Sequence, residues 1–418
     1  NIRHLVLLNW VGGPSSGLVF RAETLRSTGY RVTMSLQRTL DSALRWPAFL
    51  LSLFILFWSV PFCSLTYYIR FLDLKTERRG DVFSWAVGMK RWFGIKILKV
   101  GDRELFRKDC MYLINHRSWG DFLVDQYLTE GRSTFLARAM VAVAFPFFMT
   151  VIMVMKATMV FKRGNIPDKE KFNRWIDSEF AATPQTAIAV YPEGHRSTMT
   201  DSLPLKRGML HYAYSRKLPV QVIIAANKEA VLSEKHSTAR FGQTIWAGYS
   251  EPMFPEKYET FDKFMDKVQA TWNEEWNTVF GTKPEGLREL VCEDPKLLTP
   301  LHVRRGVSTI IAVVDICFLA IMYYSLRMAR RVSAALGPLE APLLALLAVY
   351  VTASLVRYSR PYDGVAASAR KGKLAQASAT QAPPAPKLAA SGVADVSAAT
   401  INRAASLAAE PGDPQGRQ

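Results

Sequence analysis

The sequence predicts an α/β domain: a mostly parallel mixed sheet flanked by helices, held between an N-terminal hydrophobic helix and a C-terminal transmembrane hairpin. Two patterns lead there. Between residues 75 and 300, short apolar runs alternate with helical stretches, and strands separated by helices pair in parallel with helices on the sheet faces. On either side of that region lie apolar runs near the length of roughly 20 residues that crosses a bilayer: 46–68 before it, 307–326 and 339–356 after it.

In chain order, residues 1–33 are basic with a single acid, Glu23, and scattered Ser and Thr. They read either as an organelle-targeting segment or as translated upstream sequence ahead of a start at Met34. The GxSxG pattern Gly13-Pro14-Ser15-Ser16-Gly17 falls there, without the strand and helix that a nucleophile elbow requires. Residues 34–74 form the expected membrane anchor. Its run 46–68 has aromatics at both edges, as in an interfacial belt, and Pro47 and Pro61 imply a kinked or re-entrant helix. Residues 75–300 carry the α/β pattern, with strands expected at 110–114, 157–161, 187–191, 220–225 and 244–249 and helices at 169–182 and 258–280. The run 140–155, interrupted by Pro146, is short for a crossing. It reads as a helix that dips into one leaflet or lines an apolar channel, or as a core helix. Residues 301–361 form the hairpin, with Asp315 in mid-run marking a helix contact or a shallower segment. Residues 362–418 turn Ala/Pro/Ser/Lys-rich and read as a disordered tail.

The 418 residues carry a net charge of +17, which suits anionic partners. The basic residues form no arm or stripe and no zinc-finger spacing, so no nucleic-acid partner is expected. Arg70, Lys75, Arg78, Arg79, Arg304, Arg305, Arg327, Arg330 and Arg331 flank the apolar runs, where they meet acidic lipid headgroups. Cys63, Cys110, Cys292 and Cys317 form no CxxC pair and read as buried thiols in a reducing compartment. No His/Cys cluster has metal-ligand spacing and no glycine-rich dinucleotide loop occurs, so no metal and no redox cofactor is expected.

The chemistry gathers in two blocks, each following an expected strand. In Asn115-His116-Arg117-Ser118-Trp119-Gly120-Asp121, the five-residue separation takes His116 and Asp121 off a common helical face. With His116 in a loop and Asp121 in the first turn of the next helix, the carboxylate can fold back onto the imidazole. One ring nitrogen is then fixed as a donor and the other is left to take a proton, the division of labour of a His–Asp pair in serine hydrolases. Alone, such a pair is also an ordinary surface hydrogen bond. The second block, Tyr191-Pro192-Glu193-Gly194-His195-Arg196-Ser197, gives it weight: Gly194 lets the backbone approach an oxyanion and Arg196 offers a forked donor set.

NHRSWGD resembles the NHxxxxD block of the glycerolipid acyltransferases, the 1-acylglycerol-3-phosphate and lysophospholipid acyltransferases, and YPEGHRS resembles their [FY]PEGTRS block. Val160-Phe161-Lys162-Arg163 and Leu218-Pro219-Val220 are similar to two weaker blocks in the same order, so the resemblance covers about residues 75–260. It implies the glycerolipid acyltransferase fold, with His116 as the base for an acceptor hydroxyl and Asp121 orienting it. It also implies that Arg163, Glu193, Gly194 and Arg196 bind glycerophosphate with Ser197 adding a hydrogen bond, and that Lys206 and Arg207 meet the coenzyme A phosphates. Two departures fall on acceptor recognition. His195 replaces the usual threonine, and VFKR stands for the commoner FIDR.

The implied reaction is acyl-CoA-dependent esterification of lysophosphatidic acid to phosphatidic acid, with acyl-CoA as co-substrate, a lysophospholipid acceptor and a lipid bilayer as partners. Lysocardiolipin, another lysophospholipid or glycerol 3-phosphate are alternative acceptors; a lipid esterase or an inactive membrane scaffold are readings of other classes. The family default is an integral protein of the endoplasmic reticulum with its site toward the cytosol, and the leader would redirect it to an organelle.

Overall fold

The computed structural model describes residues 39–60, 81–154, 156–161, 168–183, 185–292, 305–362 and 364–365. The leader, the second half of the anchor run, Arg163 and the chain beyond residue 365 lie outside the described residues. Seven strands form one sheet: β1 (Lys96–Val100), β2 (Cys110–Ile114), β3 (Ser133–Arg138), β4 (Thr158–Phe161), β5 (Ala187–Val190), β6 (Val220–Ala226) and β9 (Thr244–Tyr249). Their order is β1-β9-β6-β2-β5-β3-β4. Every pairing is parallel except β6 with β9. The expected α/β class and mostly parallel sheet are what the chain adopts.

β2 lies in the centre and is buried throughout, and its side chains alternate between two cores. Cys110, Tyr112 and Ile114 join the one that contains Leu123, Val124 and Leu128 of α3 (Asp121–Leu128) and Trp85 of α2 (Asp81–Trp92). Met111 and Leu113 join the other, with Ile176 of α6 (Lys169–Ala181), Leu210 and Ala213 of α7 (Arg207–Ser215), and Phe264, Val268, Trp272 and Trp276 of α8 (Phe261–Gly281). The expected strands and helices recur within a few residues. β1 and β3 are additional: lysines interrupt KILKV, and STFLAR runs directly into the next apolar stretch, so neither shows as an isolated apolar run.

The run 140–155 folds as two short helices, α4 (Ala139–Ala144) and α5 (Pro146–Val154), which part at Phe145 where Pro146 has no N–H to continue the first. Met140, Val143 and Met153 are exposed while Met149 and Ile152 are buried. One face therefore packs and the other is bare and apolar.

Among the described residues, two helical stretches are long and apolar enough to cross a membrane, α1 (Thr39–Val60) and the stretch Ala312–Tyr358. The second is α9 (Arg305–Leu336) and α10 (Glu340–Tyr358), joined at Gly337–Leu339. Between the two apolar runs the chain stays helical: α9 runs on through Arg327, Arg330 and Arg331. Asp315 is buried beside Val314 and Phe318, and Phe318 packs on Trp58 of α1 with ring centroids 5.1 Å apart. That is the helix-contact alternative.

α10 reaches the other end of α1. Pro47, inside α1, gives no N–H to the Ala43 carbonyl and strains the turn around it. α10 supplies what is missing. The Tyr350 hydroxyl donates to the Ala43 carbonyl at 2.7 Å. The Ser354 hydroxyl donates to the Leu44 carbonyl at 2.6 Å and accepts from the Ala48 N–H at 3.0 Å. Arg357 pairs with Asp41 at 2.8 Å.

Trp272, fully buried between α8 and the sheet, is among the largest fully buried side chains. Trp272→Ala is expected to lower the unfolding free energy by about 3–5 kcal/mol. Trp92→Ala, at a position 62% exposed, should shift it by about 0.5 kcal/mol or less. Denaturant titration in detergent micelles compares the two.

Candidate active site

β5, β2 and β6 are neighbours and parallel, so the segments that follow them emerge side by side at one sheet edge, the place where α/β sheets build their sites. The His116 loop follows β2, the Glu193 loop follows β5, and the turn Asn227–Glu229 follows β6. Asn115 ties the first to the third: its amide donates to the Ala225 carbonyl at 2.9 Å and accepts from the Ala225 N–H at 3.0 Å.

Asp121 opens α3 and folds back as expected. Its Oδ2 lies 2.8 Å from His116 Nδ1 and accepts from the backbone N–H groups of Arg117 at 2.5 Å and Ser118 at 3.0 Å. The Ser118 hydroxyl donates to Oδ1 at 3.3 Å. Burial alone would raise this carboxyl, but Lys228, with Nζ 3.9 Å from Oδ1, and these donors outweigh it and hold Asp121 below the usual carboxylate range. An ionised carboxylate only accepts, so Nδ1 carries the hydrogen, and in the neutral imidazole Nε2 keeps the lone pair. The imidazole is stacked on the Tyr191 ring, centroids 4.0 Å apart at 9°, and the side chain is 23% exposed while Asp121 is 1% exposed. The imidazole is reachable and the carboxylate that holds it is not.

Beneath the ring is a buried ionic cluster. Lys228 Nζ donates to the Asn115 carbonyl at 2.6 Å and to both carboxylate oxygens of Asp125 at 2.9 and 3.0 Å. The Tyr191 hydroxyl donates to Asp125 Oδ2 at 2.9 Å. Arg117, also buried, grips Glu229 through Nε at 3.0 Å and Nη2 at 2.6 Å, and donates to the carbonyls of Met199 at 2.6 Å and Thr198 at 3.2 Å. Sequence reasoning missed Asp125, Lys228, Glu229 and the role of Arg117. Only Asp125 left a usable signal, since it stands four residues after Asp121 on the same helical face.

The second block meets the first directly. The His116 N–H donates to Glu193 Oε2 at 2.9 Å, and the Ser197 N–H donates to the His116 carbonyl at 2.9 Å. Arg196 Nε pairs with Glu234 Oε1 at 2.8 Å while Oε2 of the same glutamate accepts from the Trp119 N–H at 3.1 Å. Glu234 lies between the small strands β7 (Leu232–Ser233) and β8 (Thr238–Ala239), so this hairpin clasps both loops. Gly194 turns with φ +76°, a conformation that favours glycine, and its carbonyl accepts from Arg138 Nη2 at 2.6 Å. Arg138, at the end of β3, is a further cation at this edge that the sequence did not single out.

Of the remaining expected residues, Lys206 lies along Gly194 and its N–H donates to the Pro192 carbonyl at 2.8 Å. Arg207 pairs instead with Asp262 and lies over the Phe261 ring at 4.9 Å. The Ser197 hydroxyl accepts from the Met199 N–H at 3.2 Å, and His195 is exposed. Trp119 in the base loop packs edge-on against Phe145 at 5.1 Å, and Phe145 stacks on Phe57 of α1 at 4.1 Å. An aromatic path thus runs from the base loop to the apolar helices.

A family model described as Acyltransferase matches residues 97–225, from β1 almost to the end of β6. The chain is 24% identical over 161 residues to the 1-acyl-sn-glycerol-3-phosphate acyltransferase of Saccharomyces cerevisiae, an alignment that covers 38% of this chain and 52% of the yeast protein. The chain therefore spans about half the length of that curated relative. The solved 1-acyl-sn-glycerophosphate (LPA) acyltransferase PlsC of Thermotoga maritima is similar with a TM-score of 0.42 at 14% identity, over 60% of this chain and 99% of that one. Residues 97–225, which hold both loop motifs, are thus similar to the acyltransferases.

Proposed function

We propose that this protein transfers an acyl group from coenzyme A to the free hydroxyl of lysophosphatidic acid, giving phosphatidic acid. The observation that carries the reading is the reachable imidazole of His116 held at 2.8 Å by a shielded, ionised Asp121. Nε2 takes the proton of the acceptor hydroxyl as its oxygen attacks the thioester carbonyl. The tetrahedral intermediate collapses with loss of the coenzyme A thiolate, which takes the proton back from the imidazolium. Asp121 stabilises that imidazolium without itself being protonated. A thioester is already activated, so a positioned hydroxyl, a base and charge stabilisation suffice for the step.

Arg196, Arg138 and the Gly194 turn supply cationic and backbone groups for the acceptor phosphate, with Arg163 assigned there by its motif alone. Lys206 is the better coenzyme A candidate, because Arg207 already pairs with Asp262. α1 and the α9–α10 stretch embed the protein in a bilayer, and the exposed apolar faces of α4 and α5 receive the acyl chain. The endoplasmic reticulum, with the site on the cytosolic side where acyl-CoA is held, is the proposed location.

Purified protein given acyl-CoA and lysophosphatidic acid should form phosphatidic acid, and His116→Ala should lower kcat by about 10²–10⁴-fold. Lysocardiolipin, other lysophospholipids and glycerol 3-phosphate in the same assay decide the acceptor. Free fatty acid released without acceptor would replace the transferase reading with an esterase.

Glu193 adds a pH dependence. Burial, ahead of any other influence, pushes its carboxyl up to about 7. Between the usual carboxylate range and about 7, the folded chain keeps a proton the unfolded chain has lost, so this group makes stability fall as pH rises through that window. Relative to Glu193→Gln, the wild type is expected to lose thermal stability between about pH 5 and pH 8. Parallel melting curves would remove Glu193 from this role.

A further inference from the structure

Order continues past α10, and the chain there is bonded to the turn that braces the base. The Tyr358 carbonyl accepts from the Phe241 N–H at 3.1 Å, and the Arg360 carbonyl accepts from Gln243 Nε2 at 3.1 Å. The Tyr362 N–H donates to Gln243 Oε1 at 3.0 Å, and the Arg240 guanidinium lies between the Tyr358 and Tyr362 rings at 4.9 and 4.4 Å. Asn227 is held from both sides: its Nδ2 donates to the Tyr362 carbonyl at 2.9 Å and its Oδ1 accepts from the Gly364 N–H at 2.9 Å. Val365 packs onto the core that contains Trp246 and Trp272.

Asn227 is the hinge of this arrangement. It adopts φ +68° and starts the turn whose next two residues are Lys228 and Glu229. Lys228 braces Asp125 and Asp121, and Glu229 holds Arg117. Gly364 is so close that a Cβ placed there would stand 2.8 Å from Asn227 Oδ1 and 3.0 Å from Glu229 Oε1. That Glu229 oxygen accepts from Arg117 Nη2 at 2.6 Å. A side chain at 364 would crowd Asn227, Glu229 and Tyr362, and something there must shift.

We propose that residues 358–362 and 364–365 form a positioning strap that locks the Asn227–Glu229 turn and thereby holds the His116–Asp121 pair in its working geometry. The strap lies beyond the end of the family match at residue 225. It is carried by α10, which rests on α1 at the Pro47 break, so the apolar helices and the base are linked through one short run of chain. The residues of the strap touch no reacting atom; their effect passes through Lys228 and Glu229. The proposal rests on His116 being the base.

The test uses the full chain in detergent micelles, with kcat and KM measured for acyl-CoA and lysophosphatidic acid. Gly364→Ala and Gly364→Val should lower kcat progressively, at least tenfold for valine, with both KM values within twofold. Asn227→Gly, which keeps the left-handed turn and removes the side-chain bonds, should do the same and decides the matter if the valine variant does not fold. Arg360→Ala, which leaves its carbonyl in place, should stay within twofold of wild type. The strap is refuted if Gly364→Val, where folded, and Asn227→Gly both keep kcat within twofold while His116→Ala is inactive. It is also refuted if the losses fall on KM and follow the folded fraction. Full activity in His116→Ala would bring down the base reading, and the strap with it.

Discussion

The ammonium of Lys228 is shut off from water at the sheet edge, where its bonds go to the Asn115 carbonyl and to both oxygens of Asp125, with Asp121 at 3.9 Å. A buried charge is tolerated only when paired and hydrogen-bonded, and removing one partner of such a pair costs about 3–5 kcal/mol. That constraint fixes much else. Asp121 and Asp125 must face the lysine from one side of α3, Tyr191 must send its hydroxyl down to Asp125, and the ring of His116 is left on top of Tyr191 with one nitrogen committed to Asp121. The His116–Asp121 pair is the upper surface of an ionic cluster that cannot rearrange cheaply.

A second buried cation closes the cluster laterally. Arg117 stands next to His116 and spends its donors on Glu229 and on the carbonyls of Thr198 and Met199. Together with Glu234, which Arg196 and the Trp119 N–H share, it joins three strand-end segments into one body. Preorganisation of this kind lets an imidazole act without reorganising at the moment of reaction. The apolar helices are tied in by packing: Trp119 meets Phe145, and Phe145 meets Phe57.

Much of this was legible in the sequence because the two motif blocks are contiguous and each follows an apolar run. Asn115 to Asp121 and Tyr191 to Ser197 each declare themselves within seven residues, and the strands behind them stand out by their apolar content. β1 and β3 were not legible, since lysines break one and the other merges into a longer apolar stretch. Lys228 and Glu229 were hidden for a different reason. Nothing local distinguishes a lysine after an apolar strand from a surface lysine, and only the parallel pairing of β6 with β2 brings it under Asp121. Pro47 announced a disturbed helix, but its repair by Tyr350 and Ser354 depends on a contact with α10 that no local pattern encodes.

The central claim is that Lys228 and Asp121 act on the base as one unit, and a double-mutant cycle in kcat/KM tests it most directly. With Asp121→Asn, Lys228→Met and the combination, coupled groups give a double variant about as impaired as the worse single one. Losses that simply multiply would mean that the lysine and the aspartate act independently, and the ionic cluster would then be no support for the histidine.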